Sequence, residues 1–148
     1  MSRVISAGFI VKCKNGQFLL GKACYDGNDK FTIFKGRQDP GESLIETAIR
    51  ELKEESGIDI NVDDRLNKNI STVPIFTYSM RDKDVYVFLL NDSEGALDDF
   101  EFKCDSYYGE TVKYPEIIDY KRFDLDDMDK YIFHSQLGLI ELLKNKRI

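Results

Sequence analysis

Three carboxylates crowd one short stretch: Glu51, Glu54 and Glu55 stand in Arg50-Glu51-Leu52-Lys53-Glu54-Glu55-Ser56-Gly57-Ile58. On a helix, residues three and four apart share a face, and like charges there repel by a few tenths of a kcal/mol per pair. Local stability therefore gives no reason for the cluster. A divalent cation does, because Mg²⁺ takes oxygen ligands and is usually bound by a few carboxylates together with substrate phosphates. A bare E-x-x-E-E is more readily a solvated acidic face, so the flanking residues decide.

The residues that must position the cluster form a bounded helix. Ser43 followed by Glu46 is a capping-box pattern, and Gly57 suits the left-handed position just past a helix end. Between them Ile45, Ala48, Ile49 and Leu52 recur at three and four, which places them on one stripe facing a core. The loop before the helix carries Lys35 and Arg37 around Gly36. Free N–H groups at a helix start favour phosphate, so both cations are candidate phosphate contacts as well as ordinary surface charges.

Gly36, Glu42, Arg50-Glu51, Leu52, Glu54-Glu55 and Gly57-Ile58 together resemble the Nudix box, G-x5-E-x7-R-E-U-x-E-E-x-G-U, where U is aliphatic. Every fixed position is matched, which makes this a specific signal. The resemblance implies an α/β/α sandwich with a mixed central sheet, in which the box forms loop-helix-loop. It also implies hydrolysis of a nucleoside diphosphate linked to another group, by attack of water on one phosphorus. By motif position, Glu51, Glu54 and Glu55 would hold Mg²⁺, or Mn²⁺ in its place, joined by the backbone carbonyl of Lys35. Arg50 would orient a metal-binding glutamate, while Glu42, at the helix start, has a structural role.

A further carboxylate outside the box is common in the family as a ligand or base. Tyr114-Pro115-Glu116 through Phe123 is similar to the P-E-x-x-x-W-R-W segment of dinucleoside polyphosphate hydrolases, which selects Glu116, with Glu101 and Glu110 as alternatives. For a nucleobase the sequence offers Phe31, Phe34, Tyr78, Tyr86 and Tyr107, although strand aromatics are more often core. Tyr78 is the choice, since dinucleoside polyphosphate hydrolases carry a tyrosine close to that position. His134 reads as structural.

Substrate cues diverge. Phe34-Lys35-Gly36-Arg37 through Pro40-Gly41-Glu42 resembles the PKG-x3-PGE loop of diadenosine polyphosphate hydrolases, with Phe34 in place of the proline. Pro74 instead matches a proline common in ADP-ribose pyrophosphatases, and RNA 5′-end pyrophosphohydrolases share the loop style. Nucleotide-sensing modules of the same fold usually lose box glutamates, and none is missing here. The related isopentenyl diphosphate isomerases use histidines and cysteine, for which a lone His134 does not suffice. The expected substrate is a dinucleoside polyphosphate such as diadenosine tetraphosphate.

Length and composition fit these readings. A chain of 148 residues, 42% hydrophobic and 12% aromatic, suits one globular domain spanning 1–148. Its net charge of −6 argues against a sequence-independent grip on extended nucleic acid. A small phosphorylated substrate is compatible with that charge if cations stand between it and the acidic site. Cys13, Cys24 and Cys104 lack metal-site spacing and are expected as free thiols in a reducing cytoplasm. No signal peptide or membrane span is read.

Along the chain, Val4 to Val11 and Gln17 to Leu20 predict a hairpin about Asn15-Gly16. A polar loop from Asp26 to Lys30 precedes a short strand, Phe31 to Phe34, and the loop Lys35 to Glu42. Asp59 to Asn69 reads as a connection with room for a short strand. Strands are expected at Ile70 to Tyr78 and at Val85 to Leu90, the latter covered on both faces. The stretch from Asn91 to Gly109 reads as a candidate loop over the substrate. A last strand at Glu116 to Phe123 and a helix at Ser135 to Lys144 complete a mixed sheet flanked by helices.

Overall fold

Residues 3–24 and 30–146 are described by the computed structural model. The hairpin forms where Asn15-Gly16 places it: β1 (Val4–Lys12) and β2 (Phe18–Ala23) pair antiparallel, with Val11 opposite Leu19. Gly16 turns the chain with a φ of 89°, and Asn15 Oδ1 accepts from the Gln17 N–H. Most of the polar loop expected at Asp26 to Lys30 lies outside the described residues.

The strand expected at Phe31 to Phe34 is two strands. β3 (Phe31–Thr32) pairs with β2, whereas β4 (Phe34–Arg37) pairs with β1. The switch falls at Ile33, whose N–H donates to the buried Gln136 side chain. Lys35 and Arg37 therefore sit on a strand, where a loop was expected, and only the residues after Arg37 form the connection to the helix.

That helix, α1 (Leu44–Ser56), has the boundaries its caps predict. Ser43 and Glu46 satisfy each other's backbone N–H, and Gly57 closes the end at φ 82°. The segment from Asp59 to Asn69 holds a 3₁₀ turn and the short helix α2 (Asp64–Asn67), each started by an aspartate that accepts a backbone N–H. No strand lies there; the sheet is met only at Ile70, bridged to Leu90. Past Ile70 the chain leaves the ladder around Pro74, which has no N–H to donate, so the expected long strand shrinks to β5 (Phe76–Ser79).

β6 (Lys83–Asn91) lies between β5 and β1, antiparallel to the first and parallel to the second, which makes the sheet mixed. Its alternate residues serve two cores, as an all-apolar central strand must. Phe88 and Leu90 join α1, Phe9, Phe34 and Ile58 on one face. Val85 and Val87 join Ile10, Phe18 and the C-terminal helix on the other.

After β6 the chain makes a tight turn about Asp92, whose buried carboxylate accepts from the N–H groups of Ala96 and Leu97. The stretch expected to fold over a substrate is strapped to α1. Phe100 and Phe102 pack on the α1-side core, and the N–H groups of Lys103 and Asp105 donate to the carbonyls of Ser56 and Glu54. A two-stranded ribbon, β7 (Tyr107–Tyr108) and β8 (Tyr114–Pro115), leads into β9 (Ile117–Phe123), which pairs with β2. The helix expected from Ser135 begins as a 3₁₀ turn and continues as α3 (Leu137–Lys146). With α1 on one face of the sheet and α3 on the other, the architecture is the expected α/β/α sandwich.

Candidate active site

The site is built where α1 crosses β4. Its i, i+4 geometry turns Glu51 and Glu55 inward, leaving them 7% and 4% exposed, while Glu54 stays partly open to solvent. Glu55 Oε1 accepts the Lys35 N–H at 2.9 Å. The Glu51 carboxylate lies directly over Gly36: a β-carbon on that glycine would fall 2.0 Å from Glu51 Cδ. Gly36 is thus required by close approach of a side chain, a reason that does not depend on its backbone angles.

Arg50 ties the motif together. Its Nε donates to Glu42 at 2.7 Å, its Nη1 to Glu51 at 2.9 Å and to Glu54 at 3.2 Å, and its Nη2 to Glu42 and to the Arg37 carbonyl. Glu42 also accepts from the Asp39 N–H and the Thr47 hydroxyl. The Arg50 guanidinium holds the Glu42 carboxyl down to about 2, and Glu42 in turn raises the pKa of Arg50. The glutamate opening the helix is therefore the anchor of the arginine that positions the others.

The inward carboxyls behave oppositely. Burial, reinforced by the charge of Glu54, pushes Glu51 up to about 7 against the pull of Arg50. Burial, with Glu51 and Glu116 nearby, raises Glu55 well above the ordinary carboxylate range, and only Lys35 draws it down appreciably. The charge of Glu116, which follows β8, adds to the upward push on both, and its carbonyl accepts the Cys24 N–H. Tyr120 donates its hydroxyl to the Glu55 carbonyl, fixing that turn of α1 to β9.

Buried carboxyls that repel one another and favour protonation are under-supplied with positive charge. Hard oxygen donors of this kind fit a small divalent cation. Among the described residues no three acidic, His or Cys side chains already converge on a point. Arg50 occupies the space between Glu51 and Glu54, holding both carboxylates within 3.3 Å of its Nη1. The donor set suits a cation in its chemistry, which Glu51 and Glu54 would bind while Arg50 holds them from its side.

Other expected site residues are distributed differently. Lys35 and Arg37 do not face one pocket. Lys35 lines a cavity of about 230 Å³ with Lys83, Met80, Phe133 and Gln136, while Arg37 is exposed beside Pro40 and Gly41. Burial and the charge of Lys35 together lower the Lys83 pKa. Lys83 falls between the two strands expected at Ile70 to Tyr78 and Val85 to Leu90, and lies far from Lys35 in the sequence. Tyr78 is 8% exposed in the α3-side core, stacked on Phe76, and its ring is not at the carboxylates. It pairs with Val85 across β5 and β6, and strand alternation commits it to that face. Phe31 and Phe34 are likewise core, and His134, Glu101 and Glu110 are exposed. Among the described residues all three cysteines are free, and no helix is long and apolar enough to cross a membrane.

A mixed sheet between two helical layers, with a capped loop-helix-loop that stacks glutamates on a glycine, defines a pyrophosphohydrolase of the Nudix class. The NUDIX domain model matches residues 2–142, and the chain belongs to that family. Among solved structures it is similar to an Ap4A hydrolase of C. elegans, captured as a binary complex, with 24% identity, 97% of each chain covered and a TM-score of 0.64. A MutT protein from Methanosarcina mazei Go1 shares 19% identity over 99% of this chain and 96% of its own, with a TM-score of 0.62. A bifunctional NMN adenylyltransferase/ADP ribose pyrophosphatase from Francisella tularensis, complexed with AMP and a Mn ion, shares 16% identity over 97% of this chain and 42% of its own, with a TM-score of 0.66. At these identities the likeness is one of fold. No curated protein matches the chain.

Proposed function

We propose that this enzyme hydrolyses a dinucleoside polyphosphate such as diadenosine tetraphosphate, with Mg²⁺ or Mn²⁺ held by Glu51, Glu54, Glu55, Glu116 and the Lys35 carbonyl. Such a cation supplies charge to the phosphoryl oxygens and activates water. The protein's own part is placement: Arg50 orients Glu51 and Glu54, Gly36 lets Glu51 lie flat on β4, and Glu116 is the candidate base outside the box. Phosphoryl transfer asks mainly for positioning and electrostatics.

The observation that carries the substrate reading is the Lys35–Lys83 pair. Two ammonium groups share one cavity, where burial and then the charge of Lys35 lower the Lys83 pKa, and Lys35 also acts on Glu55. A phosphate chain running from the carboxylate cluster toward that cavity would neutralise both. This is more positive charge than a two-phosphate substrate requires; it lies on the α3 side of β4, opposite the face where Glu51 covers Gly36, so the chain would pass around the β4 edge, and Lys83 takes the part first expected of Arg37. Pro74, the cue toward ADP-ribose, has a backbone role at the interruption before β5. Comparing kcat/KM for diadenosine tetraphosphate, ADP-ribose and GTP at equal Mg²⁺ tests the reading, since that ratio reports transition-state discrimination. Preference for ADP-ribose by tenfold, about 1.4 kcal/mol, overturns it.

A further inference from the structure

On the other side of Glu54 lies a cavity of about 580 Å³ lined by Arg50, Lys53, Glu54, Gly57, Lys103, Asp105 and Tyr107. One wall is the last turn of α1 and the other is the strap from Phe102 to Tyr108. The strap runs extended, and its residues alternate. Phe102, Cys104, Ser106 and Tyr108 turn inward, while Lys103, Asp105 and Tyr107 are all exposed on the outer side. The two backbone hydrogen bonds from Lys103 and Asp105 to the carbonyls of Ser56 and Glu54 fix which way that outer row points. The three side chains therefore stand in a line along the edge of the cavity, on a segment pinned to the helix that carries Glu54.

Their chemistry is that of a nucleotide subsite. Tyr107 is 51% exposed and can accept a base on its ring. Asp105 is an exposed carboxylate that can accept from a ribose hydroxyl, and Lys103 can donate to a phosphate. Among the described residues the Lys103 ammonium has no ion pair or hydrogen bond of its own, whereas Arg50 is already committed to Glu42, Glu51 and Glu54, and Lys53 to Asp59. The volume is in the range of small-ligand pockets. Gly57 leaves the floor bare: a β-carbon there would stand 3.4 Å from the Lys103 carbonyl oxygen.

We infer that this cavity binds the second nucleoside of the substrate, with Tyr107 stacking on its base, Asp105 holding its ribose and Lys103 its adjoining phosphate. The inference rests on the dinucleoside reading above and deepens it: the phosphate chain runs from this cavity past Glu54 onto the carboxylate cluster. Lys103 and Tyr107 are then residues that select a substrate with two nucleoside ends over one with a single end.

The test is calorimetric titration of the intact protein, in the presence of Mg²⁺, with the analogue of diadenosine tetraphosphate in which all three bridging anhydride oxygens are replaced by methylene. Wild type, Tyr107→Ala, Tyr107→Phe and Lys103→Ala are compared, each checked for an unchanged circular dichroism spectrum. Tyr107→Ala is expected to bind about tenfold more weakly and Tyr107→Phe within about twofold of wild type. Lys103→Ala is expected to weaken binding and flatten its salt dependence. None of these variants should alter affinity for ATP, used as a single-ended probe, by the same factor. Wild-type affinity in Tyr107→Ala, equal losses for ATP, or no binding of the analogue by wild type each overturn the inference. Failure of the dinucleoside reading is seen separately, as wild-type turnover that favours ADP-ribose in the kinetic panel.

Discussion

Replacing Gly36 with alanine probes the contact on which the geometry of the cluster depends. The added methyl would lie 2.0 Å from Glu51 Cδ and 2.1 and 2.2 Å from its two oxygens. Nonbonded carbons settle near ~3.5 Å, so the carboxylate must withdraw by about 1.5 Å, which breaks its 2.9 Å contact with Arg50. A misplacement of about 1 Å in a catalytic constellation costs on the order of 100-fold, and kcat/KM is expected to fall by at least that factor, about 2.7 kcal/mol. Stability should change little, because two effects oppose. Overpacking costs about 1–3 kcal/mol, while moving Glu51 toward water relieves a burial that holds its pKa near 7. The assay is kcat/KM on the best substrate of the panel, with thermal unfolding in EDTA, for Gly36→Ala, Glu51→Ala and the double variant. If Gly36 acts through Glu51, the double variant is hardly worse than Glu51→Ala alone. Activity within threefold of wild type in Gly36→Ala, or a full further 100-fold loss in the double variant, refutes the reasoning.

Three further outcomes follow from the same site. Glu55→Gln keeps an acceptor for the Lys35 N–H but removes a buried charge, so at pH 7.5 the metal-free variant should melt at or above the wild-type temperature. Its activity should drop on the order of 100-fold or more, and Mn²⁺ should no longer raise its melting temperature. For pH, a carboxyl whose pKa rises on folding binds more protons folded than unfolded. The metal-free protein should thus hold its full contribution from Glu51 below the ordinary value of 4.5 and lose it as pH rises through about 7. That loss is worth up to about 3 kcal/mol, read by urea unfolding at pH 5 and 7.5 in EDTA; equal or greater stability at pH 7.5 contradicts it. Arg50→Lys cannot reproduce the fork that spans Glu42, Glu51, Glu54 and the Arg37 carbonyl. It should cost about 2 kcal/mol in urea unfolding, and an unchanged midpoint would show that the fork adds nothing.

The sequence by itself determined what depends on neighbours in the chain. Ser43, Glu46 and Gly57 set the ends of α1, Asn15-Gly16 set the first hairpin, and the spacing of Glu51, Glu54 and Glu55 put three carboxylates on one short helix. Caps, turns and i, i+4 faces are local, so their residues suffice. What joins distant segments was decided only by the tertiary structure. Gln136 splits the third strand by drawing on Ile33, Gly36 receives Glu51, and Lys83 rather than Arg37 stands beside Lys35. Tyr78 went to the α3-side core because its register with Val85 left it no other face. The strap was the hardest to read, since its inner row, Phe102 and Cys104, gains a reason only from the core beneath. The alternation of exposed Lys103, Asp105 and Tyr107 with inward residues is set by a neighbour outside the segment. Here that neighbour is the pair of carbonyls of Glu54 and Ser56, at the end of a helix nearly fifty residues earlier.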